Sequence, residues 1–523
     1  MDSESGPFRI APTKTWYNRA PRMSEEPTAR EPLGRTTPDR VALAAVLIGT
    51  VVLFGLTLCP TVYWYDSAEF SAHAVTLGVP HPPGYPLYTM LAHLFTWLPG
   101  EPALGVNRMS LVFGVGAVAI LYALVRRLGG SIAAAVVGAA TLATARTFWA
   151  NAVVAEVYTP GLVMTLGALL LLVRAHQDKW RRGVILAGLV GGLGVGMHMS
   201  ITTFGVGYAW MVWTFDLPER FRPGMLIERL RSRLSLALLS ALAAASGLLV
   251  FMYIPLRKFE HWDARDWTIF RKNSTGGSFK RKFLKDYDLD KRFDLLWDIW
   301  IDNLLVVGVV LAVVGLVVLI VRKPKSGTGL VLAAAGNLWW FFNYRVPDLD
   351  VFFLPAIAIG CVGVGLAADA VTQPLRRIHP RLELSAWLVV VLPLSLIPRN
   401  YDTVDLSHRT DASEYGNAAC DVVQGEARVI NYSSPTEWRY YSVFIYMQAT
   451  APRCAEATVW KKPRTAAVDR VLRSGGTIYA FRPVRTLKSR FRVTEAGPLW
   501  RVELRGPSTA ASRRPTRSAP VHP

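Results

Sequence analysis

Apolar residues in this chain gather into blocks separated by short polar runs. The blocks occupy roughly 41–60, 107–125, 131–150, 155–173, 183–199, 200–215, 234–255, 303–321, 328–344, 351–370 and 386–398. A helix of ~20 residues spans a hydrocarbon core of about 30 Å, and most of these blocks approach that length. Lipid cannot satisfy an open backbone, so blocks of this kind are read as helices. The pattern predicts an all-α polytopic membrane protein with about 11 transmembrane helices. A shorter apolar piece, PLYTMLAHLFTWL at 86–98, reads as a half-span.

Composition agrees with the blocks. Of 523 residues, 51% are hydrophobic and 18% charged, and the mean hydropathy is +0.27. The formal net charge of +20 raises nucleic-acid binding as a function class. The placement of the cations argues against it. Arg126-Arg127, 174–182 (RAHQDKWRR), 220–233 (RFRPGMLIERLRSR), 322–325 (RKPK) and 376–381 (RRIHPR) all fall in loops on one side of the predicted spans. Positive charge retained on the cytoplasmic side gives this distribution. The N-terminus is therefore expected in the cytoplasm of a multi-pass plasma-membrane protein, and an odd span count leaves the C-terminus outside.

The polar segments divide the rest of the chain. Residues 1–40 are rich in Pro and Arg and read as a disordered cytoplasmic tail, with no cleavable leader, so that the first apolar block serves as signal anchor. Residues 41–400 form the transmembrane domain, with outer loops at 61–106 and 256–302. Residues 401–506 read as a small extracytoplasmic α/β domain. ARVINYS and TIYAF are its strands, and TEWRYYSVFIYMQ and AAVDRVLRSGG its helices. Residues 507–523 are a second disordered tail. Cys420 and Cys454 lie in the outer domain, where an oxidising compartment permits a disulfide. Cys59 and Cys361 lie in apolar spans as small core residues.

The chemistry-bearing residues lie at the outer ends of the spans. In WYDSAEFSAHAVTLGVPHPPGYP (64–86), a helix over 66–74 puts Asp66, Glu69 and His73 on one face. The Gly- and Pro-rich run then stops the helix and holds His81 in a stiff loop. An amphipathic helix lying on the membrane with its polar face in water would show the same pattern. Further groups sit at the same expected level: Glu156 in FWANAVVAEVYTPG, His198 in GMHMS, and Asp348 and Asp350 in RVPDLDVFFLP. Ionisable groups at membrane depth are costly and face a cavity or a partner. Arg257 and Lys258 follow a span and can meet a phosphate or lipid head groups. Carboxylates and cations at this level suit transfer of a sugar from a lipid phosphate: a carboxylate takes the acceptor's proton and a cation steadies the departing phosphate. There is no GxxxxGK[ST] loop, and no HExxH or paired CxxC zinc motif.

YDSAEFSAHAVTLGVPHPPGYPLY, FWANAVVAEVYTPG, GVGMHMS, FMYIPLR and DLDVFFLP follow one another in an order that resembles a known family. It is a multispanning branch of the GT-C glycosyltransferases, long catalogued as a domain of unknown function, whose animal relatives are protein O-mannosyltransferases. The resemblance covers roughly 41–400, with weaker likeness at 399–418. It implies an inverting enzyme that moves a sugar, mannose in the relatives, from a polyprenyl-phosphate donor at the outer face. The acceptor hydroxyl is a protein Ser/Thr or a cell-envelope glycan. GT-C enzymes carry an acidic residue in the first outer loop, which makes Asp66 the general base and Glu69 its partner. His73, His81, Tyr85, Glu156, Tyr158, His198, Arg257, Asp348 and Asp350 are then the substrate-binding set, with Arg257 at the lipid phosphate. No metal ligands are assigned, and a divalent cation is left open. Ala68 and Ser200 depart from the Gly and Thr common in the family, without removing a reacting group.

Two other function classes remain. A polytopic transporter or flippase of a lipid-linked precursor suits the span count, although no internal repeat is visible and the polar groups sit at outer ends only. A non-catalytic envelope assembly protein would use the C-terminal domain as a binding module, and DTVDLSHRTDAS (402–413) is then a polar linker and not a nucleophile set.

Overall fold

The computed structural model describes residues 36–505 except 229, 259–263, 275–282, 284–287, 347, 379–385 and 424. The expected tails at 1–35 and 507–523, and parts of the loop 256–302, lie outside the described residues. Helices make up most of the chain. They run α1 Thr37–Thr57, α2 Asp66–Thr76, α3 Pro86–Phe95, α4 Pro102–Arg127, α5 Ile132–Thr144, α6 Arg146–Ala152, α7 Tyr158–Asp178, α8 Arg181–Val195, α9 Gly205–Trp213 and α10 Leu230–Gly247. Then follow α11 Tyr253–Lys258, α12 Ala264–Ser274, α13 Leu289–Arg322, α14 Pro324–Phe342, α15 Leu354–Ile378 and α16 Val391–Val404. The segment expected to be disordered up to residue 40 is already helical from Thr37, because Pro38 suits the first turn, where no N–H is needed.

Among the described residues, six helices are long and apolar enough to cross a membrane, or seven when the bent pair α5–α6 counts as one. Eleven were expected. The difference lies in the blocks at 183–199, 200–215, 328–344 and 386–398, which form helices of 15, 9, 19 and 14 residues. Glycines and a 3-10 turn at Met199–Phe204 break the 183–215 stretch at His198. The α5–α6 pair bends by 67° at Ala145, whose ψ of 127° is extended.

Small residues let these helices approach closely where lipid supplies no hydrophobic drive between them. A Cβ at Gly315 of α13 would meet the Gly363 carbonyl of α15, and one at Gly192 of α8 would meet that of Ala244 in α10. The core runs through α4, α6, α7 and α15 around Leu121, Trp149, Leu166 and Ile357, all fully buried.

Beyond α16 lie α17 Asp411–Val422, β1 Arg428–Asn431, α18 Pro435–Thr450, β2 Thr458–Lys461, α19 Thr465–Arg473, β3 Ile478–Ala480, α20 Arg485–Lys488, β4 Arg492–Ala496 and β5 Leu499–Glu503. The sheet order is β2-β1-β3-β5-β4. β1 pairs in parallel with β2 and β3, and β5 runs antiparallel to β3 and β4. Successive residues of β1 point to opposite faces. Val429 packs with Phe444 of α18 on one side, and Ile430 with Val468 of α19 on the other. Ser434 and Glu437 close a reciprocal capping box at the start of α18. Cys420 and Cys454 form a disulfide across 34 residues. The stretch read as a linker, 402–413, holds the end of α16 and the start of α17.

Candidate functional site

The site is built on α2 and on the loop that returns over it. Asp66, Glu69 and His73 occupy one face of α2, as their spacing requires. Leu77 ends the helix with φ 50°, and Gly84 turns the loop with φ 101°, a conformation glycine adopts without a steric penalty. The loop thereby brings His81 onto the carboxylate face. The Glu69 carboxylate grips it twice: Oε1 accepts from the His81 backbone N–H at 2.9 Å, and Oε2 lies 2.5 Å from Nδ1. His81 Nε2 lies 3.1 Å from the Tyr85 hydroxyl and 3.9 Å from Asp66 Oδ2. His73 Nε2 is 3.8 Å from Glu69 Oε1.

A chain of rings continues inward. Tyr85 stacks on His198 at 6.0 Å and 17°, and His198 meets Tyr158 at 5.0 Å. His198 Nδ1 lies 2.7 Å from the Ser200 hydroxyl, so serine at this position serves as a ring partner. Asp348 and Glu156 belong to the same cluster: the charge of Asp348 is felt by Asp66 and His81, and Glu156 feels the charges of Asp66 and Asp348. Asp66, Glu69, His81, Tyr85, Glu156, Tyr158, His198 and Asp348 thus gather, although they come from four separated stretches of sequence. Asp350 lies to one side, where its Oδ2 accepts from the Thr147 hydroxyl at 3.2 Å. Arg257 is also peripheral. It donates to the carbonyls of Leu77 and Thr76, at 2.7 and 3.0 Å, and so caps the C-terminus of α2.

Sequence reasoning missed one member. Trp438 of α18 donates its indole N–H to Asp66 Oδ1 at 2.6 Å. The α18 helix lies against α2, where Trp64, Ala68 and Ala72 share a buried cluster with Val443, Tyr446 and Met447. Nothing local in TEWRYYSVFIYMQ marks one tryptophan among its many aromatics as facing a carboxylate 372 residues away.

Burial raises Asp66 above the usual carboxylate range. His81 and the Trp438 hydrogen bond oppose this, and the charges of Glu69 and Asp348 add to it. The Asp66 side chain nonetheless keeps 37% exposure, against 5% for Glu69, so one carboxylate reaches an opening and the other does not. Burial alone would lower His81. The charge and hydrogen bond of Glu69, with Asp66 and Asp348, overcome it and raise the imidazole to about 9. Near neutrality His81 is therefore a cation with both ring nitrogens donating. His73 is lowered, chiefly by burial.

Asp66, Glu69 and His81 are also close enough to share a metal ion, their donor atoms lying within 4.8 Å of one another. The pairing they already have fits that use poorly. A metal needs the imidazole deprotonated, whereas Glu69 holds it charged and uses both oxygens to do so.

Residues 66–217 match the family model of the protein O-mannosyl-transferase TMEM260 N-terminal domain. Protein O-mannosyl-transferase TMEM260 of Mus musculus is 31% identical over 232 residues, which cover 43% of this chain and 32% of the mouse protein. The Dictyostelium discoideum protein of the same name is 22% identical over 442 residues, covering 72% of this chain and 52% of its own. The chain thus spans about a third to a half of the length of these curated relatives. Among solved structures, ArnT from Cupriavidus metallidurans bound to undecaprenyl phosphate superposes with a TM-score of 0.60 at 12% identity, covering 89% of this chain and 98% of that one. The likeness at this identity is one of fold. The chain thus shares its fold with ArnT, and its residues 66–217 are similar to the TMEM260 N-terminal domain.

Proposed function

We propose that the protein is a glycosyltransferase that moves a sugar from a polyprenyl-phosphate donor to an acceptor hydroxyl, with inversion at the anomeric carbon. Mannose is the sugar in the name of its relatives, and undecaprenyl phosphate is the molecule bound to ArnT. The acceptor is a protein Ser/Thr or an envelope glycan. On this proposal the N-terminus and basic loops are cytoplasmic, and the site with its C-terminal domain faces outward.

One observation carries the chemistry: the Asp66 side chain keeps partial exposure while Trp438 holds one of its oxygens. Oδ1 accepts from Trp438, and Oδ2 lies 3.9 Å from His81, beyond hydrogen-bonding range. Asp66 takes the proton of the acceptor hydroxyl as that oxygen attacks the anomeric carbon from the face opposite the phosphate. The C–O bond to the phosphate breaks, and the polyprenyl phosphate leaves with the electron pair. Glu69 keeps the His81 cation in place, and that cation steadies the Asp66 carboxylate. Tyr85, Tyr158 and His198 form the inner wall for the sugar, where Glu156 and Asp348 are oriented to its hydroxyls. His73, Arg257 and Asp350 support the rim; Arg257, with Lys258 beside it at the end of α11, is the cation nearest the departing phosphate. The raised Asp66 is a stronger base than an ordinary carboxylate.

Asp66→Asn tests the proposal. Membranes holding this variant should transfer no labelled mannose from polyprenyl-phosphate mannose to the envelope fraction, at unchanged protein level. Full transfer by the variant refutes it, and uptake of a lipid-linked precursor without any glycan product would favour a flippase.

A further inference from the structure

We propose that Trp438 is a positioning residue for Asp66, so that the C-terminal domain completes the catalytic site and is not an appended module. The inference rests on the glycosyltransferase reading, and it concerns a residue outside the 66–217 region matched to the family.

The contact is built from several directions. The Trp438 indole N–H meets Asp66 Oδ1 at 2.6 Å, and its ring stands edge-on to His81 at 6.0 Å and 85°. Tyr441, one turn further along α18, packs on the Trp438 ring at 5.5 Å and carries Lys461 over its own face. Trp438 therefore sits between the two groups that define the site, and its rotamer is fixed by packing on a third. The helix that carries it is pinned to the first outer loop at two further places. Tyr446 donates to Glu101 Oε1 at 2.9 Å and accepts from the Ala103 N–H at 3.2 Å. Near the start of α18, Arg439 lies 4.1 Å over the Trp64 ring, while Trp64 donates to Asp411 at 2.6 Å. These anchors lie directly after Trp438 and about two turns further along the same helix, so α18 is fixed where its indole meets Asp66.

A carboxylate on a short side chain has two oxygens that exchange by rotation about its last bond. A directed N–H on Oδ1 opposes that exchange and leaves Oδ2 as the oxygen that the indole does not engage. The same hydrogen bond favours the charged, basic form of Asp66. Of the charged groups that face Asp66, Glu69 on α2 and Asp348 beside α15 disfavour the carboxylate, and the His81 cation from the loop favours it, as the Trp438 bond does; Glu156 before α7 in turn feels the charge of Asp66.

The test is Trp438→Phe in the full chain, which keeps an aromatic ring and removes the donor together with part of the indole's bulk. Transfer from polyprenyl-phosphate mannose in native membranes is followed against pH and against donor concentration. The expected result is a kcat lower by about tenfold or more, the scale of one hydrogen bond to a charged group. KM for the donor should stay near its wild-type value, and the acid limb of the pH profile should move to higher pH. A uniform loss of activity with the acid limb in its wild-type position would mean that Trp438 only helps the domain fold, and would overturn the proposal. So would wild-type kinetics. If the phenylalanine variant does not accumulate, Trp438→Leu, which also lacks a donor, is read by the same limb. Asp66→Asn is run alongside. An active Asp66→Asn enzyme sinks the glycosyltransferase reading, whereas an inactive one beside an unmoved Trp438→Phe limb sinks only the role of Trp438.

Discussion

Glu69→Gln separates the charge of the Glu69–His81 pair from its shape. Glutamine keeps the Oε1 that accepts the His81 backbone N–H at 2.9 Å, and it removes the negative charge beside Nδ1. In the intact protein the imidazole is held at about 9 against an ordinary 6.5. At 1.36 kcal/mol per pH unit this amounts to about 3 kcal/mol of stabilisation of the cation. Water at the exposed edge of the ring, which is 23% accessible, trims the figure towards about 2 kcal/mol. The sign follows from linkage. A histidine raised on folding stabilises the fold fully below its unfolded value of about 6.5, and that contribution is lost as pH rises through the folded value of about 9. The glutamine variant should therefore melt a few degrees below wild type at pH 6 and close to it at pH 9.5. The assay is the apparent melting temperature of the purified full chain in detergent at the two pH values. An equal loss at both, or a larger one at pH 9.5, would show that the pair is not held by charge and would refute the reasoning. Transfer activity gives a second readout: it should fall in the variant near neutrality, where the cation that steadies Asp66 has been weakened.

Two further perturbations test the frame around the site. Replacing Cys420 and Cys454 together by Ser opens a 34-residue loop and should cost about 4 kcal/mol by the chain-entropy argument, seen as faster proteolysis of the C-terminal domain and a lower apparent melting temperature. Reductant should do the same to wild type, and insensitivity to both would argue that the sheet alone holds the domain. Gly315→Ala places a methyl group against the Gly363 carbonyl, so α13 and α15 must part, at a cost of about 1–3 kcal/mol. Unchanged thermal stability of that variant would contradict the close crossing of these two helices.

The sequence was most legible where one local rule decided the outcome. Hydropathy located α1, α4, α7, α13 and α15 because each is a long apolar run. Periodicity put Asp66, Glu69 and His73 on one face of α2, and turn chemistry ended that helix before the proline run. The rule failed where an apolar run is broken. Blocks 183–199 and 200–215 are divided where the sequence divides them, at the turn after His198, yet they form helices of only 15 and 9 residues, shorter than a span. The role foreseen for Arg257 rested on its position after a span. That position also lets it donate to the carbonyls of Thr76 and Leu77, which any helix end leaves unpaired, a contact that no local signal shows. Trp438 was illegible because its partner is reached only through the docking of α18 on α2.

The two carboxylates of α2 looked interchangeable in sequence, three residues apart and both acidic. Their surroundings make them different instruments. Glu69 is nearly inaccessible, and both its oxygens are committed to His81. A group in that state is kept from a substrate by its burial, and accepting a proton would weaken its ion pair with His81. Asp66 is more exposed, with one oxygen fixed by Trp438 and the other outside hydrogen-bonding range of its nearest cation. The base in the proposed reaction is therefore Asp66. Glu69 acts at one remove, by keeping charged the imidazole that opposes the rise in Asp66 caused by burial. The order of the motif follows from this division. The acid at the first position of the helix meets the opening and the C-terminal domain. The acid one turn later lies deeper, where a proline-stiffened loop can lay a histidine across it.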